Sequence, residues 1–272
     1  MDSPLRRSEY RYLGRIAGRS SAAELPAPDL SGFTREQIAL ASRAWTLKAE
    51  EEYRSAAVFA EITSRLIEAA APLDVLAALG RVVQDEIAHA TLCFDLAARF
   101  GAPTPVAATG RVQQRLERLG TDRTRQGLAL LLFEGAIGET VSVTLFHAGR
   151  KGSREPCTRA ALGLILRDEA RHARLCWEAS ALLLPSATPE TREALQLDLA
   201  RSFGAFEQGM TLPALRRLEA GEAFDPALAS LGVIPPELRV ETIYGAVERV
   251  VLPRLNELGF DAQRAWAERY RT

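Results

Sequence analysis

A chain of 272 residues, 47% of them hydrophobic, is long enough to bury a full core as one large domain or two smaller ones. Its net charge of −1 offers no basic field for nucleic acid or anionic lipid, and three cysteines, Cys93, Cys157 and Cys176, are too few for a dense disulfide framework. The amino-terminal residues carry charge but no apolar core of signal-peptide length, so the expectation is a cytoplasmic protein with neither nucleic acid nor a membrane as partner.

Residues 1–32 are rich in Arg, Ser and Pro without a sustained period and read as an N-terminal arm. Thr34 with Gln37 three positions on forms a capping-box pattern, and neither Pro nor Gly interrupts before Pro72, which predicts a long helix over 34–70. Asp74 opens a second helix that runs to about Phe100, where Gly101 and Pro103 stop it. The Gly/Pro-bearing segment 101–121 is long enough to cross from one helix pair to the next. A third helix is expected from near Asp122 to about Ala148, and a fourth from Glu155-Pro156 to Leu184, with Gly149 and Gly152 marking the tight link between them. Beyond Pro185, residues 189–219 and 236–258 read as two further helices. The expected fold is all-α: a four-helix unit over 33–185 with a long crossover, and a C-terminal helical extension over 186–272 that packs on it.

Two of the four helices carry the same short pattern. VVQDEIAHATLCF (82–94) places Glu86 and His89 three apart, and LILRDEARHARLCW (164–177) does the same with Glu169 and His172. That spacing puts a carboxylate and an imidazole on one helix face about one turn apart, as two ligands of one ion require. The segments also share Asp85/Asp168, Ala90/Ala173 and Cys93/Cys176, and the chain has only three histidines. A lone helical histidine is more often a satisfied polar group, as His147 near the end of the third helix reads; two in register with matching acids point to metal.

A dinuclear carboxylate site in a four-helix bundle also needs one inward Glu from each remaining helix. On the first helix Glu52 shares its face with Trp45, Ala49, Ala56, Phe59 and Leu66, while Glu51, beside Leu47, Ser55 and Val58, is the second candidate. The third helix offers Glu134 and Glu139 inside the most apolar stretch of the chain, residues 128–146, where a bare carboxylate is costly unless paired, protonated or metal-bound. Helical geometry separates the two by about 140°. Glu139 is the favoured ligand and Glu134 a supporting or alternative one; Gly135 and Gly138 would leave room for substrate beside it. Asp168 and Asp85 are placed to accept the outer N–H of the opposing imidazoles, Asp168 from His89 and Asp85 from His172.

The order Glu52, Glu86/His89, Glu139, Glu169/His172 resembles that of the ferritin-like diiron-carboxylate superfamily, and LRDEARHARLC looks like the second iron-binding motif of the small subunit of class I ribonucleotide reductase. The resemblance covers residues 34–184 and implies a ferritin-like four-helix bundle holding two Fe ions, with Mn or a mixed pair as substitutes, and dioxygen as co-substrate. One turn past the first His stands Cys93, as in the similar hydroxylase component of bacterial methane monooxygenases, where the reductase subunit holds its radical-storing tyrosine. Tyrosyl-radical storage is thereby disfavoured. The expectation is a diiron monooxygenase or oxidase, dimeric, that acts on a small organic molecule. With no Gly-rich nucleotide fingerprint or cysteine cluster of its own, it would take electrons from a separate reductase or ferredoxin. A ferroxidase and a bundle merely tied together by metal are the alternatives.

Overall fold

A computed structural model describes residues 25–103 and 122–270. Most of the expected arm and most of the expected crossover, 1–24 and 104–121, lie outside the described residues. Among the described residues the chain forms nine helices and no strand, so the all-α expectation holds.

Helix α1 spans Arg35–Glu68 and begins as its sequence dictates: Thr34 Oγ1 accepts from the Gln37 backbone N–H at 3.2 Å while Gln37 Oε1 accepts from the Thr34 N–H at 2.8 Å. It ends slightly before Pro72, because Ala70 takes a left-handed conformation with φ of 55°. Helix α2, Leu73–Arg99, returns after this short turn and packs along the length of α1. Asp122 caps the next helix, accepting from the N–H groups of Thr124 and Arg125 at 2.9 and 3.2 Å.

That helix, α3, spans Arg123–Gly152 and is not uniform. Regular turns over Arg123–Leu130 widen into π-helical turns over Leu131–Gly138 before regular geometry resumes over Glu139–Gly152. The expected stop near 148 is too early: Gly149 stays helical and buried, lying against Ile234 and Leu162 rather than turning the chain. Helix α3 is long and apolar enough to span a membrane by length and composition, yet 61% of its most apolar window is buried inside the protein, which makes it a central core helix here. Helix α4, Pro156–Leu183, starts where the Glu155 carboxylate accepts from the N–H groups of Cys157 and Thr158 at 3.0 and 2.6 Å.

The expected helix over 189–219 divides into α5, Pro189–Met210, and α6, Leu212–Glu219. Pro213 accounts for the break, since it has no N–H to donate and its ring collides with the carbonyl one turn back. A short α7, Ala227–Ser230, follows. Then comes α8, which runs from Pro236–Ala246 through π turns at Val247–Val251 to Leu252–Glu257. Helix α9, Ala262–Glu268, was not expected from the sequence and is capped by Asp261.

Helix α3 packs against α4, α2 meets α4, and the first part of α3 lies along α1. The last part of α3 packs instead against α4 and α8. Two apolar clusters fill the space between these helices. One contains Phe59, Leu79, Leu132 and Trp177 together with Leu199, Phe203, Val251 and Leu255, so the C-terminal helices share a core with the first four. The other contains Trp45, Ala49, Cys93, Leu96, Phe146 and Ile165. On α1, α2 and α4 the change from one cluster to the other falls at a glutamate, and on α3 a glutamate stands between the first cluster and a third one that Val141 and Leu145 share with Ile243 and Ala246 of α8.

Candidate metal centre

Those glutamates are Glu52 on α1, Glu86 on α2, Glu139 on α3 and Glu169 on α4, and each is buried, as are His89 and His172. On α1 the glutamate stands between Ala49 and Phe59, and on α4 between Ile165 and Cys176, so apolar side chains close the cluster above and below. The structure brings all six residues together as two overlapping groups. Glu52, Glu86, His89 and Glu169 form one, and Glu86, Glu139, Glu169 and His172 the other, each offering ligand atoms within 4.8 Å of one another. Glu86 and Glu169 belong to both.

The imidazoles turn Nδ1 inward. His89 Nδ1 lies 3.0 Å from Glu169 Oε1, 3.5 Å from Glu52 Oε2 and 3.9 Å from Glu86 Oε1. His172 Nδ1 lies 2.9 Å from Glu86 Oε1 and 3.8 Å from both Glu139 Oε2 and Glu169 Oε1. The shortest of these distances would permit hydrogen bonds, but the directions do not. Glu86 Oε1, Glu169 Oε1, Glu139 Oε2 and both Nδ1 atoms are buried without a hydrogen-bond partner. Five unpaired buried donor atoms are costly unless something else engages them. Neighbouring ligands about 2.1 Å from one ion stand about 3 Å apart, the spacing of the closest pairs here. The donors therefore fit a metal ion better than they fit one another.

The outer edges of the rings complete the arrangement. With Nε2 protonated, His89 donates to Asp168 Oδ2 and His172 to Asp85 Oδ2, each at 3.4 Å, which leaves the Nδ1 lone pairs aimed inward. Each Asp thus serves the histidine of the opposing helix. Arg171, one residue before His172, donates from Nη2 to Asp168 Oδ1 at 2.7 Å and to Asp85 Oδ2 at 3.4 Å, and Arg81 Nε donates to Asp85 Oδ1 at 3.1 Å. The sequence reading missed both arginines, although their spacings of three and four residues from an Asp were visible.

Without metal, the charges inside the cluster set one another's protonation. Burial opposes charge on Glu86, but the two imidazoles outweigh it and hold the carboxyl down at about 2. Burial drives Glu52 up to about 8 and, with Glu169 and Glu86 adding to it, pushes Glu139 well above the carboxylate range. Burial alone would depress the histidines, yet the surrounding carboxylates raise His172 to about 12 and His89 well above its ordinary value. Asp85 is held at about 2 by His172 and Arg81 against the effect of its burial.

Several expected details fall elsewhere. Glu51 is exposed, because the helical period that turns Glu52 inward turns its neighbour out. Glu134 is half-buried and belongs to neither group of candidate ligands. Gly135 leaves no room for substrate: a Cβ there would stand 3.0 Å from Cys176 Sγ, so the glycine accommodates the cysteine. Gly138 has only the Phe133 carbonyl oxygen near, at 3.9 Å. His147 is exposed on α3 and belongs to neither group of candidate ligands. Cys93 and Cys176 are buried free thiols, and burial pushes both well above their ordinary value. The π-helical turns immediately before Glu139 had no signature that sequence periodicity could register.

The fold and site together define an all-helical protein with buried Glu/His groups that could hold a metal ion. Comparison with protein-family models, with curated proteins and with solved structures finds no match for this chain.

Proposed function

We propose that this chain is a dinuclear-iron oxidoreductase, built on a ferritin-like four-helix bundle of α1 to α4, that uses dioxygen to oxidise a small organic molecule. The observation that supports it most is the convergence of five buried, unpaired nitrogen and oxygen donors from three helices. Glu52 and His89 would hold one ion, Glu139 and His172 the other, with Glu86 and Glu169 common to both. Carboxylate and imidazole donors without thiolate suit Fe(II), and manganese or a mixed pair as substitutes. Bound iron would supply the reductive activation of dioxygen.

The chain's own residues set the conditions for that chemistry. Asp168 and Asp85 fix the ring orientation and tautomer of the two histidines, and Arg171 and Arg81 hold the aspartates in turn. The apolar clusters on either side keep bulk water away from the carboxylates. Electrons would come from a separate protein donor, since the sequence carries no nucleotide fingerprint or cysteine cluster.

Anaerobic iron loading followed by oxygen-electrode measurements tests the proposal. About two irons per chain and catalytic, reductant-dependent oxygen uptake are expected. Failure to retain iron overturns it, and so does oxygen consumption that stops once the added Fe(II) is oxidised, which would make iron itself the substrate.

A further inference from the structure

The two Glu-x-x-His segments differ just before their histidines: Ala88 precedes His89, whereas Arg171 precedes His172. The Arg171 side chain is 59% exposed, yet its guanidinium is engaged inward. Its Nη2 donates to Asp168 Oδ1 at 2.7 Å on its own helix and to Asp85 Oδ2 at 3.4 Å across on α2. These aspartates are the acceptors of the two outer ring N–H groups, Asp168 for His89 and Asp85 for His172. One nitrogen therefore touches both supports. Two other arginines touch one each: Arg81 Nε lies 3.1 Å from Asp85 Oδ1, and Arg167 Nε lies 3.5 Å from Asp168 Oδ1.

Two carboxylates that serve neighbouring imidazoles crosswise are brought close enough to repel one another, and the Arg171 charge offsets that repulsion at Asp168. Orientation is the second effect. Asp168 gives Oδ1 to Arg171 and Oδ2 to His89, so fixing one oxygen turns the other toward the ring. Asp85 is fixed through Oδ1 by Arg81 in the same way, while Arg171 reaches the Oδ2 that His172 itself uses. Exposed ion pairs of this kind add little to stability in water, so the importance of Arg171 lies in what its partners orient and not in holding the fold.

We infer that Arg171 is a positioning residue common to both metal positions: it holds the two aspartates as a pair and thereby sets the direction of both histidines, whereas Arg81 acts on His172 alone. For the metals the inference rests on the dinuclear proposal; the joint orientation of the rings does not require it. Ala88 gives the first segment no counterpart at that place, so the doubled motif has one shared support, and it stands at the protein surface. Its removal should leave the fold intact and disturb His89 and His172 together, where removal of Arg81 disturbs one of them.

The scarcity of histidine makes the test readable. ¹⁵N-histidine labelling of the full-length, metal-free protein gives the two buried rings, told apart by His89→Gln, and exposed His147 as a reference. Arg171→Gln should speed solvent exchange of the Nε2 protons of both His89 and His172 about 3- to 10-fold, and Arg171→Lys, which keeps the charge, should recover part of both. Arg81→Gln should affect His172 alone, and Arg174→Gln neither, because Arg174 pairs with Glu178. Chelator competition with Mn(II) should repeat the pattern in Glu139→Ala, which keeps the His89 position, and in Glu52→Ala, which keeps the His172 position. Adding Arg171→Gln should weaken binding about 3- to 10-fold in each, less than loss of an aspartate, and adding Arg81→Gln should do so only in Glu52→Ala. The inference is overturned if Arg171→Gln leaves either ring as in the parent, if Arg81→Gln disturbs both rings, or if Arg174→Gln matches Arg171→Gln. Metal content measured in parallel separates the two readings. The expected exchange pattern in a chain that retains no metal sinks the oxidoreductase proposal alone, and metal retention with unchanged rings in Arg171→Gln sinks this one alone.

Discussion

Metal bound by these Glu/His groups would have to expel protons, and the charges around each group set the direction of the effect. In the metal-free state both imidazoles lie among carboxylates that raise them, His172 to about 12 and His89 well above its ordinary value. Burial drives Glu52 to about 8 and Glu139 well above the carboxylate range. At pH 6 to 7 Glu52 and the two imidazoles hold protons that a metal ion would displace, and Glu139 is shifted in the same direction. Three protons for two ions is more than one per ion, so each ion's apparent affinity should rise at least about 30-fold per pH unit, or about 2 kcal/mol. Calorimetric titration with Mn(II) under argon, in two buffers of different ionisation enthalpy, reads both the affinity and the protons released. Release below one proton per ion, or an affinity flat between pH 6 and 7, would refute the reasoning. The same groups set the stability of the metal-free fold. Each has a pKa above its unfolded value, so its contribution is complete below that value and is lost as pH rises toward the folded one. The metal-free protein should therefore melt at a lower temperature at pH 8.5 than at pH 5.5, with the metal-loaded protein showing the opposite order.

Removing a shared ligand should differ from removing an unshared one. Glu86→Ala or Glu169→Ala should reduce bound metal toward zero, whereas Glu52→Ala or Glu139→Ala should leave about one ion per chain, as read by elemental analysis. Asp85→Ala and Asp168→Ala should each weaken metal binding about 10- to 100-fold in competition with a chelator, because the opposing imidazole loses the acceptor that orients it. Gly135→Ala should destabilise the protein by about 1–3 kcal/mol in denaturant unfolding, since its Cβ would crowd Cys176; Gly138→Ala, with open space around it, should be neutral or mildly stabilising. Glu207→Ala should loosen α9, read as faster amide exchange there, because it removes the common partner of Tyr244, Arg269 and Tyr270.

The parts of the fold legible in the sequence are those with strong local causes. Thr34 and Gln37 announce α1, Pro156 opens α4, and the apolar period that turns Glu52 in and Glu51 out is the period of the helix itself. The paired Glu-x-x-His segments could be read because both ligands of each pair sit on one helix. What the sequence hid depends on contacts between distant segments. Gly135 looks like empty space until Cys176 of α4 is placed against it. The π-helical turns of α3 alter the regular period on which the 140° argument between Glu134 and Glu139 relied. Lys48 looks like an ordinary helical lysine until Phe146, almost a hundred positions away, is brought beneath it. Helix α9 was missed because seven residues are too short for a period to stand out, and the Glu207, Tyr244, Arg269 and Tyr270 contacts near it join three separate segments.

The most direct test is anomalous diffraction from crystals of the iron-loaded protein, collected on both sides of the iron edge. Two peaks are predicted within the glutamate layer. One should be bound by His89 Nδ1 and the other by His172 Nδ1, with Glu86 and Glu169 reaching both and each Nε2 still facing its aspartate. No peak, a peak away from this layer, or a histidine flipped to bind through Nε2 would contradict the account.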